Sequence, residues 1–292
     1  MIGHFRTLLT WAERLLSRQL SSESLHHDGL IRSYLLYVPR HKVAAARLPL
    51  VLVLHGGASR PKDIARASEM HRIAEREGFI VAYPAGMPGG FGFTWNPGGQ
   101  ANHSSADDVG FLRALIGDLC ARYPVDPQRV FVAGISIGGS MAYRLACSLS
   151  QVFAAVGVVA GAMTYEDCRP AHPVSIIHIH GTADQRVPYE GGRGRFTALH
   201  NNWPAISRAI DRWRAINRCE GPGEVIRLME GLLGHRYTGT ADVELWLVDG
   251  GRHVWPGGRP RGWHWWRGRF SVPFSASEKI WHFFSAHPRT ET

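Results

Sequence analysis

Short apolar runs alternate with amphipathic helical patterns along this chain of 292 residues. Five of the runs carry no charged residue, as expected for strands buried on both faces of a sheet, and they span residues 48–55, 78–84, 130–135, 153–161 and 174–181. Such strands, alternating with helices, predict the α/β class, with a mostly parallel sheet and helices on both faces. No linker, composition break or internal repeat divides the sequence, so we expect one domain over residues 21–292.

Weaker patterns complete this alternation. The dipeptide Asp28-Gly29 favours a tight turn, so two strands are predicted to form a hairpin around it. Helical spacing predicts further helices near 61–77, 106–123, 138–149, 203–218 and 275–287. Strand candidates follow near 224–239 and 242–248, and residues 85–103 are predicted to form a loop rich in Gly, Pro, Phe and Trp.

Residues 1–20 predict an amphipathic helix that precedes the sheet, with its leucines at helical spacing. Glu13 and Arg14 interrupt the apolar run and no small-residue cleavage site follows, so a signal peptide is not indicated and a cytoplasmic protein is the default expectation. We expect the helix to pack on the body of the protein; association with a membrane surface or another subunit is the alternative. No apolar stretch approaches the ~20 residues that span a bilayer.

The net charge of +9 raises the question of a nucleic-acid partner. The basic residues are scattered along the chain, whereas nucleic-acid binding requires a clustered basic patch. We therefore expect no such partner. The densest basic group is interpreted as a solvated surface loop and comprises Arg259, Arg261, Arg267 and Arg269.

The four cysteines form no C-x-x-C pair, so neither a structural zinc site nor a thioredoxin-type motif is expected. Four cysteines allow three pairings, and the sequence does not choose among these pairings and free thiols. Cys120 and Cys147 lie in helical patterns, where a buried free thiol is the default expectation.

The stretch VFVAGISIGGSMAYRL, residues 130–145, places Ser136 where a predicted strand gives way directly to a predicted helix. A nucleophile elbow requires this context, because the sharp turn exposes the serine hydroxyl at the end of the sheet. Gly134 and Gly138 flank the serine, and small residues there let strand and helix pass close together. We therefore predict that Ser136 is a nucleophile; a glycine-rich turn without chemistry is the alternative.

A serine nucleophile needs a base and an orienting acid, which an elbow of this kind takes from the chain in the order Ser, Asp/Glu, His. Asp184 follows the buried strand 174–181, and His253 lies between the last strand and the last helix. These two residues are the predicted acid and base. His180 competes for the role of base but precedes Asp184 in the chain, so we interpret it as a strand-end histidine.

The oxyanion formed during acyl transfer needs two preorganised N–H donors. One is predicted to be the backbone N–H of Ile137, directly after the nucleophile. The second is expected in the loop after the first buried strand, VLHGGASRP, with Gly57 as first choice and Ala58 as the alternative. This chemistry requires no metal and no organic cofactor.

Taken together, the motifs resemble the polyhydroxybutyrate depolymerase and feruloyl esterase family of α/β-hydrolases. The segments that carry the resemblance run from about residue 48 to 285, and they are LVLHGG, VAYPAG, TWNPGG, DDVGFLRALI, RVFVAGISIGGSMAYRLAC, HGTADQRVPY, GGRHVWPGG and SASEKIW. The resemblance implies the α/β-hydrolase fold and the triad Ser136, Asp184 and His253. It also implies that four residues border the acyl site: Trp95, Asn96, Trp255 and Pro256. Relatives in this family are often exported.

Two departures from the family pattern bear on the substrate. Depolymerase-like members often have a cysteine where this chain has Gly57, which favours a feruloyl or general esterase over the polyester depolymerase that is the alternative. The segment RPRGWHWWRGRFSVP, residues 259–273, is longer and more aromatic than the family pattern. Four of its rings are interpreted either as a wall for an aromatic or polymeric ester or as a packed surface flap: Trp263, Trp265, Trp266 and Phe270.

The expected function is therefore a serine esterase acting on a small or polymeric ester, with hydroxycinnamoyl or short acyl and aryl esters as the first candidates. Two alternatives belong to other classes. A non-catalytic binding protein could use the same fold. A membrane-associated lipase could use residues 1–20 and the tryptophan segment as an interfacial patch.

Overall fold

A ten-stranded sheet forms the centre of the protein, seen in a computed structural model that describes residues 20–40, 47–89, 92–99, 104–195, 201–258 and 274–289. In chain order the strands are β1 (Ser21–His27), β2 (Leu30–Tyr37), β3 (Leu48–Leu54), β4 (Ile80–Pro84), β5 (Met87–Gly89), β6 (Gly92–Thr94), β7 (Val125–Ile135), β8 (Ala155–Val159), β9 (Ser175–Gly181), β10 (Gly192–Arg193), β11 (Asn202–Trp203), β12 (Glu224–Met229), β13 (Leu232–Tyr237) and β14 (Val243–Val248).

The large sheet has the order β1-β2-β4-β3-β7-β8-β9-β14-β13-β12. Its six central strands, from β4 to β14, are parallel, and antiparallel strands extend it at both edges. The central strands β3, β4, β8 and β9 are buried along their whole length, which agrees with their continuous apolar sequence. The predicted α/β class is confirmed.

Helices cover both faces of this sheet. They are α1 (Pro61–Ser68), α2 (Met70–Glu77), α3 (Asp108–Arg122), α4 (Ile137–Ser148), α5 (Ile206–Ile216) and α6 (Ala276–Ala286). The core on one face contains side chains of α3, α4 and α5, and the core on the other face contains those of α1, α2 and α6. Within the described ranges, no helix is long and apolar enough to cross a membrane.

Most element predictions are confirmed, and two of them need correction. The predicted helix 61–77 is two helices, because Glu69 adopts a left-handed conformation (φ 47°) between them. The predicted loop 85–103 contains the short antiparallel pair β5–β6. The hairpin turn at Asp28-Gly29 is present, with positive φ at both residues.

A disulfide joins Cys147, at the end of α4, to Cys168 in the segment after β8. The expectation of a free thiol at Cys147 is therefore wrong, because the chain beyond β8 folds back onto this helix and the spacing alone does not reveal that. Cys120 is a free thiol as expected, but it is exposed and not buried, and Cys219 is a buried free thiol. The predicted N-terminal helix (residues 1–20) lies outside the described residues except for Leu20, and so do the basic group and the aromatic cluster of 259–270.

Candidate active site

Ser136 lies in a strained turn between β7 and α4. It is one of the few non-glycine residues with positive φ (φ 58°, ψ −126°), a conformation that costs free energy and is held only when the surroundings impose it. Its N–H donates to Val159 O (2.9 Å), and its carbonyl accepts from Ser140 N (2.9 Å). The side chain is half-buried at the carboxyl end of the parallel sheet.

Close backbone packing imposes this turn. A Cβ on Gly134 would collide with the backbone of Gly138, and a Cβ on Gly138 would collide with the carbonyl groups of Leu54 and His55. The two glycines that sequence reasoning singled out therefore occupy positions where no side chain fits. They bring the end of β3, the elbow and the first turn of α4 into direct contact.

Asp184 and His253 meet at the carboxyl ends of the neighbouring strands β9 and β14. His253 Nδ1 lies 2.7 Å from Asp184 Oδ2. Because a carboxylate only accepts, Nδ1 carries the proton, and Nε2 is left with a lone pair. Asp184 is buried, whereas the His253 side chain remains 11% exposed.

Backbone bonds hold the loops of these two residues together. Ala183 N–H donates to Gly251 O (2.9 Å), and Thr182 N–H donates to Val248 O (3.0 Å). Asp184 Oδ1 accepts from Arg186 N (2.8 Å) and Val187 N (3.0 Å). Burial by itself raises the pKa of Asp184, but the hydrogen bond and charge of His253 and the N–H of Val187 outweigh burial, so the pKa lies below its ordinary value.

Ser136 and His253 flank the same end of the sheet but are not bonded to each other. Among the described hydrogen bonds there is none between the Ser136 hydroxyl and His253, although neither side chain is fully buried. Catalytic hydrogen bonds are commonly loose before substrate binds and tighten in the complex. The structure thus brings the predicted acid and base together and places the predicted nucleophile at the same end of the sheet, without a bond to the base.

The loop after β3 lies against the elbow. A Cβ on Gly56 would contact Ser136 Cβ at 3.4 Å, and one on Gly57 would contact Ile137 Cγ2 at 3.6 Å. Ile137 is the first residue of α4, so its N–H has no acceptor inside the helix. Gly57 is exposed, as is Ala58, which has positive φ (55°). The two predicted N–H donors therefore lie on adjoining segments.

His55, which sequence reasoning did not single out, orients this loop. Its Nε2 accepts from Gly86 N (3.0 Å), so its Nδ1 carries the proton and donates to Gly56 O (2.8 Å). Carbonyl and N–H point in opposite directions across a trans peptide. Because Gly56 O is directed at the His55 ring, the N–H of Gly57 is directed away from that ring. Burial lowers the pKa of His55 to about 4, which keeps the ring neutral.

Trp95 lies beneath the same loop. It is fully buried, and its indole N–H donates to His55 O (3.0 Å). The neighbouring Asn96 is half-buried: its backbone N–H donates to Asp108 Oδ2 (2.7 Å), and its side chain donates to Ala106 O (3.1 Å). The fully buried ring supports the loop from below, and a place for Trp95 and Asn96 at the border of the acyl site stays a prediction.

Trp255 is also buried. Its indole N–H donates to Ser277 Oγ (2.9 Å) at the start of α6, and Pro256 O accepts from Ala276 N (3.0 Å). These bonds anchor the loop that follows His253. Pro256 is thus a backbone contact of α6, and a place for Trp255 and Pro256 beside the acyl group stays a prediction.

His180, the rejected candidate for the base, is buried and hydrogen-bonded by its Nε2 to Val187 O (2.9 Å). It cannot reach a substrate from there. In the part of the chain that the structure describes, no group of three or more His, Cys, Asp or Glu side chains is arranged to hold a metal ion.

Comparisons with known proteins point in one direction. The family model described as "Esterase PHB depolymerase" matches residues 32–184. Feruloyl esterase B of Piromyces equi is 30% identical over 244 residues, which cover 77% of this chain and 42% of that protein. The putative esterase NocK of Nocardia uniformis subsp. tsuyamanensis is 34% identical over 254 residues, covering 79% and 72%. This chain thus spans less than half the length of the first relative.

Solved structures with a similar fold include an acetyl xylan esterase from Aspergillus awamori. The TM-score is 0.66 at 16% identity, and the match covers 91% of this chain and 99% of that one. A thermostable esterase gives a TM-score of 0.62 at 15% identity, with 94% and 64% covered. At these identities the likeness concerns the fold.

Proposed function

Because this chain belongs to the esterase PHB depolymerase family and has the α/β-hydrolase fold, we propose that it is a serine esterase. It cleaves carboxylic esters through an acyl-enzyme formed on Ser136. The observation that carries the proposal is the strained Ser136 at the start of α4, at the same carboxyl end of the parallel sheet as the 2.7 Å Asp184–His253 bond. We further propose that residues 21–292 form one catalytic domain.

In the first step, His253 Nε2 takes the proton of the Ser136 hydroxyl as its oxygen attacks the ester carbonyl. The N–H groups of Ile137 and Gly57 stabilise the negative charge on the carbonyl oxygen. Asp184 holds the His253 ring in the tautomer that leaves Nε2 free and stabilises the imidazolium once it forms. His253 then protonates the leaving alcohol, and the acyl group remains on Ser136.

Water completes the reaction. His253 Nε2 removes a proton from a water molecule, the resulting oxygen attacks the acyl-enzyme, and the same two N–H donors stabilise the second oxyanion. The ester bond to Ser136 breaks, its oxygen recovers a proton from His253, and the carboxylic acid leaves. All of these steps use side chains and backbone groups of this chain.

The experiment that tests the proposal compares wild type with Ser136→Ala on p-nitrophenyl acetate and butyrate. We expect the substitution to lower kcat by about 10⁴-fold or more, since the nucleophile is removed. Covalent labelling of wild type by a fluorophosphonate probe, lost in Ser136→Ala, locates the nucleophile independently. Ser140→Ala, one helical turn further along α4, is the matched control. Wild-type activity in Ser136→Ala would contradict the proposal.

For the substrate we propose a hydroxycinnamoyl ester or a short acyl or aryl ester, as in a feruloyl esterase. Two relatives support this choice by their names, feruloyl esterase B and the bifunctional acetylxylan esterase/xylanase XynS20E of Neocallimastix patriciarum. The family description favours a polyester depolymerase as the second candidate. A panel of methyl ferulate, acetylated xylan and hydroxybutyrate oligomers separates hydroxycinnamoyl, acetyl and polyester substrates. Ser136→Ala serves as the blank.

One proposal rests on the sequence alone. The amphipathic pattern of residues 1–20 fits a helix packed on the body of the protein, and we propose association with a membrane surface or another subunit as the alternative. A variant lacking residues 1–19 tests this by sedimentation with vesicles of anionic lipid and by light scattering. If the deletion changed neither vesicle binding nor the oligomeric state, the proposed association would be wrong.

A further inference from the structure

A row of buried polar side chains runs through the core beside the proposed triad without belonging to it. Tyr143 lies on α4, seven residues after the nucleophile, and His178 and His180 lie on β9, on the same side of the strand. All three are at most 1% exposed. Polar groups are costly to bury unless their hydrogen-bonding needs are met, so the pattern of their bonds is informative.

The three side chains form one continuous chain of hydrogen bonds. Tyr143 Oη lies 2.7 Å from His178 Nδ1, and His178 Nε2 lies 2.9 Å from His180 Nδ1. His180 Nε2 lies 2.9 Å from the carbonyl oxygen of Val187. The two imidazole rings are stacked, with centroids 5.2 Å apart. The row ends at the turn that carries Asp184.

The hydrogen bond from His180 to Val187 O determines which atom donates in every other hydrogen bond of the row. Val187 O can only accept, so His180 Nε2 is the donor, and in the neutral ring its Nδ1 is an acceptor. His178 must then donate from Nε2 and accept at Nδ1, so the Tyr143 hydroxyl donates to it. Burial lowers the pKa of both histidines and raises that of Tyr143, which keeps all three groups neutral.

Val187 joins this row to the acid. His180 holds the carbonyl of Val187, and the N–H of Val187 donates to Asp184 Oδ1 (3.0 Å). The same His180 Nε2 lies 3.6 Å from Asp184 Oδ2, the oxygen that accepts from His253. The orientation of the carboxylate therefore depends on a turn that His180 fixes from the buried side.

We propose that His180, held in one tautomer by His178 and Tyr143, is a positioning residue that aims the Asp184 carboxylate at His253. This inference rests on the proposed esterase function. The row starts on α4, the helix that follows Ser136, and it ends on the turn that carries Asp184. It therefore fixes the spacing of two triad members through the interior, in addition to the backbone contacts at the surface.

The experiment replaces His180 in two ways. His180→Leu removes the donor to Val187 O, whereas His180→Gln places an amide N–H near the position of Nε2. We expect His180→Leu to lower kcat on p-nitrophenyl acetate by about 100-fold with KM changed less than about threefold, because a small misplacement of catalytic groups has effects of this size. His180→Gln should recover most of the loss. Equal losses in the two variants would overturn the proposal.

A spectroscopic readout separates positioning from general stability. The proton shared by His253 Nδ1 and Asp184 should give a low-field ¹H resonance in wild type and in His180→Gln, and this resonance should be lost or moved upfield in His180→Leu. If His180→Leu does not fold, Tyr143→Phe removes only the first donor and should shift the resonance while lowering kcat by about fivefold or less. An unchanged resonance in both Tyr143→Phe and any folded His180→Leu would contradict the inference.

These readouts distinguish failure of the inference from failure of the proposed function. The low-field resonance reports the Asp184–His253 bond without any substrate. If wild type neither hydrolyses aryl esters nor reacts with a fluorophosphonate, the function is wrong. If wild type is active and His180→Leu keeps wild-type kcat, only the positioning role is wrong.

Discussion

The nucleophile and the acid–base pair of the proposed triad are held in different ways. The elbow around Ser136 is fixed by backbone packed on backbone, with Gly134 and Gly138 at positions where any Cβ would collide. Asp184 and His253 are fixed by hydrogen bonds between side chains and loops that are 69 residues apart in the chain. The first arrangement is sensitive to added volume, and the second is sensitive to the loss of a hydrogen-bonding partner.

This difference reflects how far apart the residues of each region lie in the sequence. The elbow is contained in one contiguous stretch, since β7, the turn and α4 follow each other directly. The acid–base pair forms only when β9 and β14 become neighbours in the sheet. We therefore compare a substitution that adds volume at the elbow with one that changes hydrogen bonding at Asp184. If the contacts are read correctly, each region is sensitive to its own kind of change.

The largest effect is expected from a change of hydrogen bonding on the acid–base side, Asp184→Asn. The N–H groups of Arg186 and Val187 require an oxygen at the Oδ1 position, so the amide nitrogen of the asparagine must face His253. His253 Nδ1 then has to accept, and its proton moves to Nε2, where the base is needed. We expect kcat on p-nitrophenyl acetate to fall by about 10⁴-fold.

Asp249→Asn is the matched control for that experiment. Asp249 lies on the same pair of loops, where it accepts from the Thr182 hydroxyl (3.1 Å) at an exposed site. The same chemical change there should leave kcat within about twofold, as is usual for surface substitutions. Comparable losses in the two variants would mean that Asp184 has no special relation to His253.

The next largest effect is expected from added volume at the elbow, Gly138→Ala. The new methyl group would lie 2.7 Å from Leu54 O and also against His55 O, so the end of β3 and the loop beside Ser136 must shift. Overpacking of this kind costs about 1–3 kcal/mol of unfolding free energy. We expect kcat to fall by about 100-fold, because the donors at the elbow move with the loop.

Gly117→Ala provides the comparison for the added methyl group. Gly117 lies on an exposed part of α3, with no heavy atom within 4 Å of its Cβ position. There alanine should raise the unfolding free energy by about 0.5–1 kcal/mol, measured by urea denaturation, with no change in kcat. If Gly138→Ala were equally harmless, the elbow would not depend on close backbone packing.

Acid is expected to affect both regions, because each contains a buried neutral histidine. Burial lowers the pKa of His55, beside the elbow, to about 4, and it also lowers the pKa of His180. An unfolded chain binds a proton at histidine near pH 6.5, so between pH 6.5 and about 4 the unfolded state holds more protons. The unfolding free energy should therefore fall across this interval, by about 3 kcal/mol at most for His55.

Urea denaturation at several pH values between 7.5 and 4.5 measures this fall. His180→Gln cannot titrate at that position, so its stability should decline less steeply than that of wild type. His282→Gln, at an exposed position on α6, is the control and should decline as wild type does. A stability that stays constant from pH 7.5 to 4.5 would show that these histidines gain no proton when the chain unfolds.

The sequence predicted the parts of the molecule that depend on local patterns. Continuous apolar runs identified β3, β8 and β9, and the strand–glycine–serine–glycine–helix order identified Ser136. The positions of Asp184 and His253 followed from the rule that such residues lie beyond strand ends, and the structure brings these two side chains together. The resemblance to a family supported the same three residues.

Long-range contacts could not be predicted in the same way. The Cys147–Cys168 disulfide depends on a segment that folds back over α4, and helical spacing alone favoured a free thiol. Trp95 and Trp255 were expected beside the acyl site because the family resemblance implies it, and the sequence does not distinguish a tryptophan that faces a ligand from one buried in the core. Only the three-dimensional structure shows that their N–H groups bond to His55 O and Ser277 Oγ.

The smallest effect is expected from Gly57→Ala, which sharpens the comparison within the nucleophile side itself. Unlike Gly138, Gly57 has room for a methyl group, since its Cβ would lie 3.6 Å from Ile137 Cγ2 in ordinary contact. The backbone N–H that we propose as an oxyanion donor is kept, so kcat on p-nitrophenyl acetate should change by less than about threefold, as for a substitution without strain. A loss on bulky aryl esters alone would show that the glycine gives the acyl group access, whereas a loss near 100-fold on the acetate would mean that the Gly57 N–H is not oriented by the His55 contact.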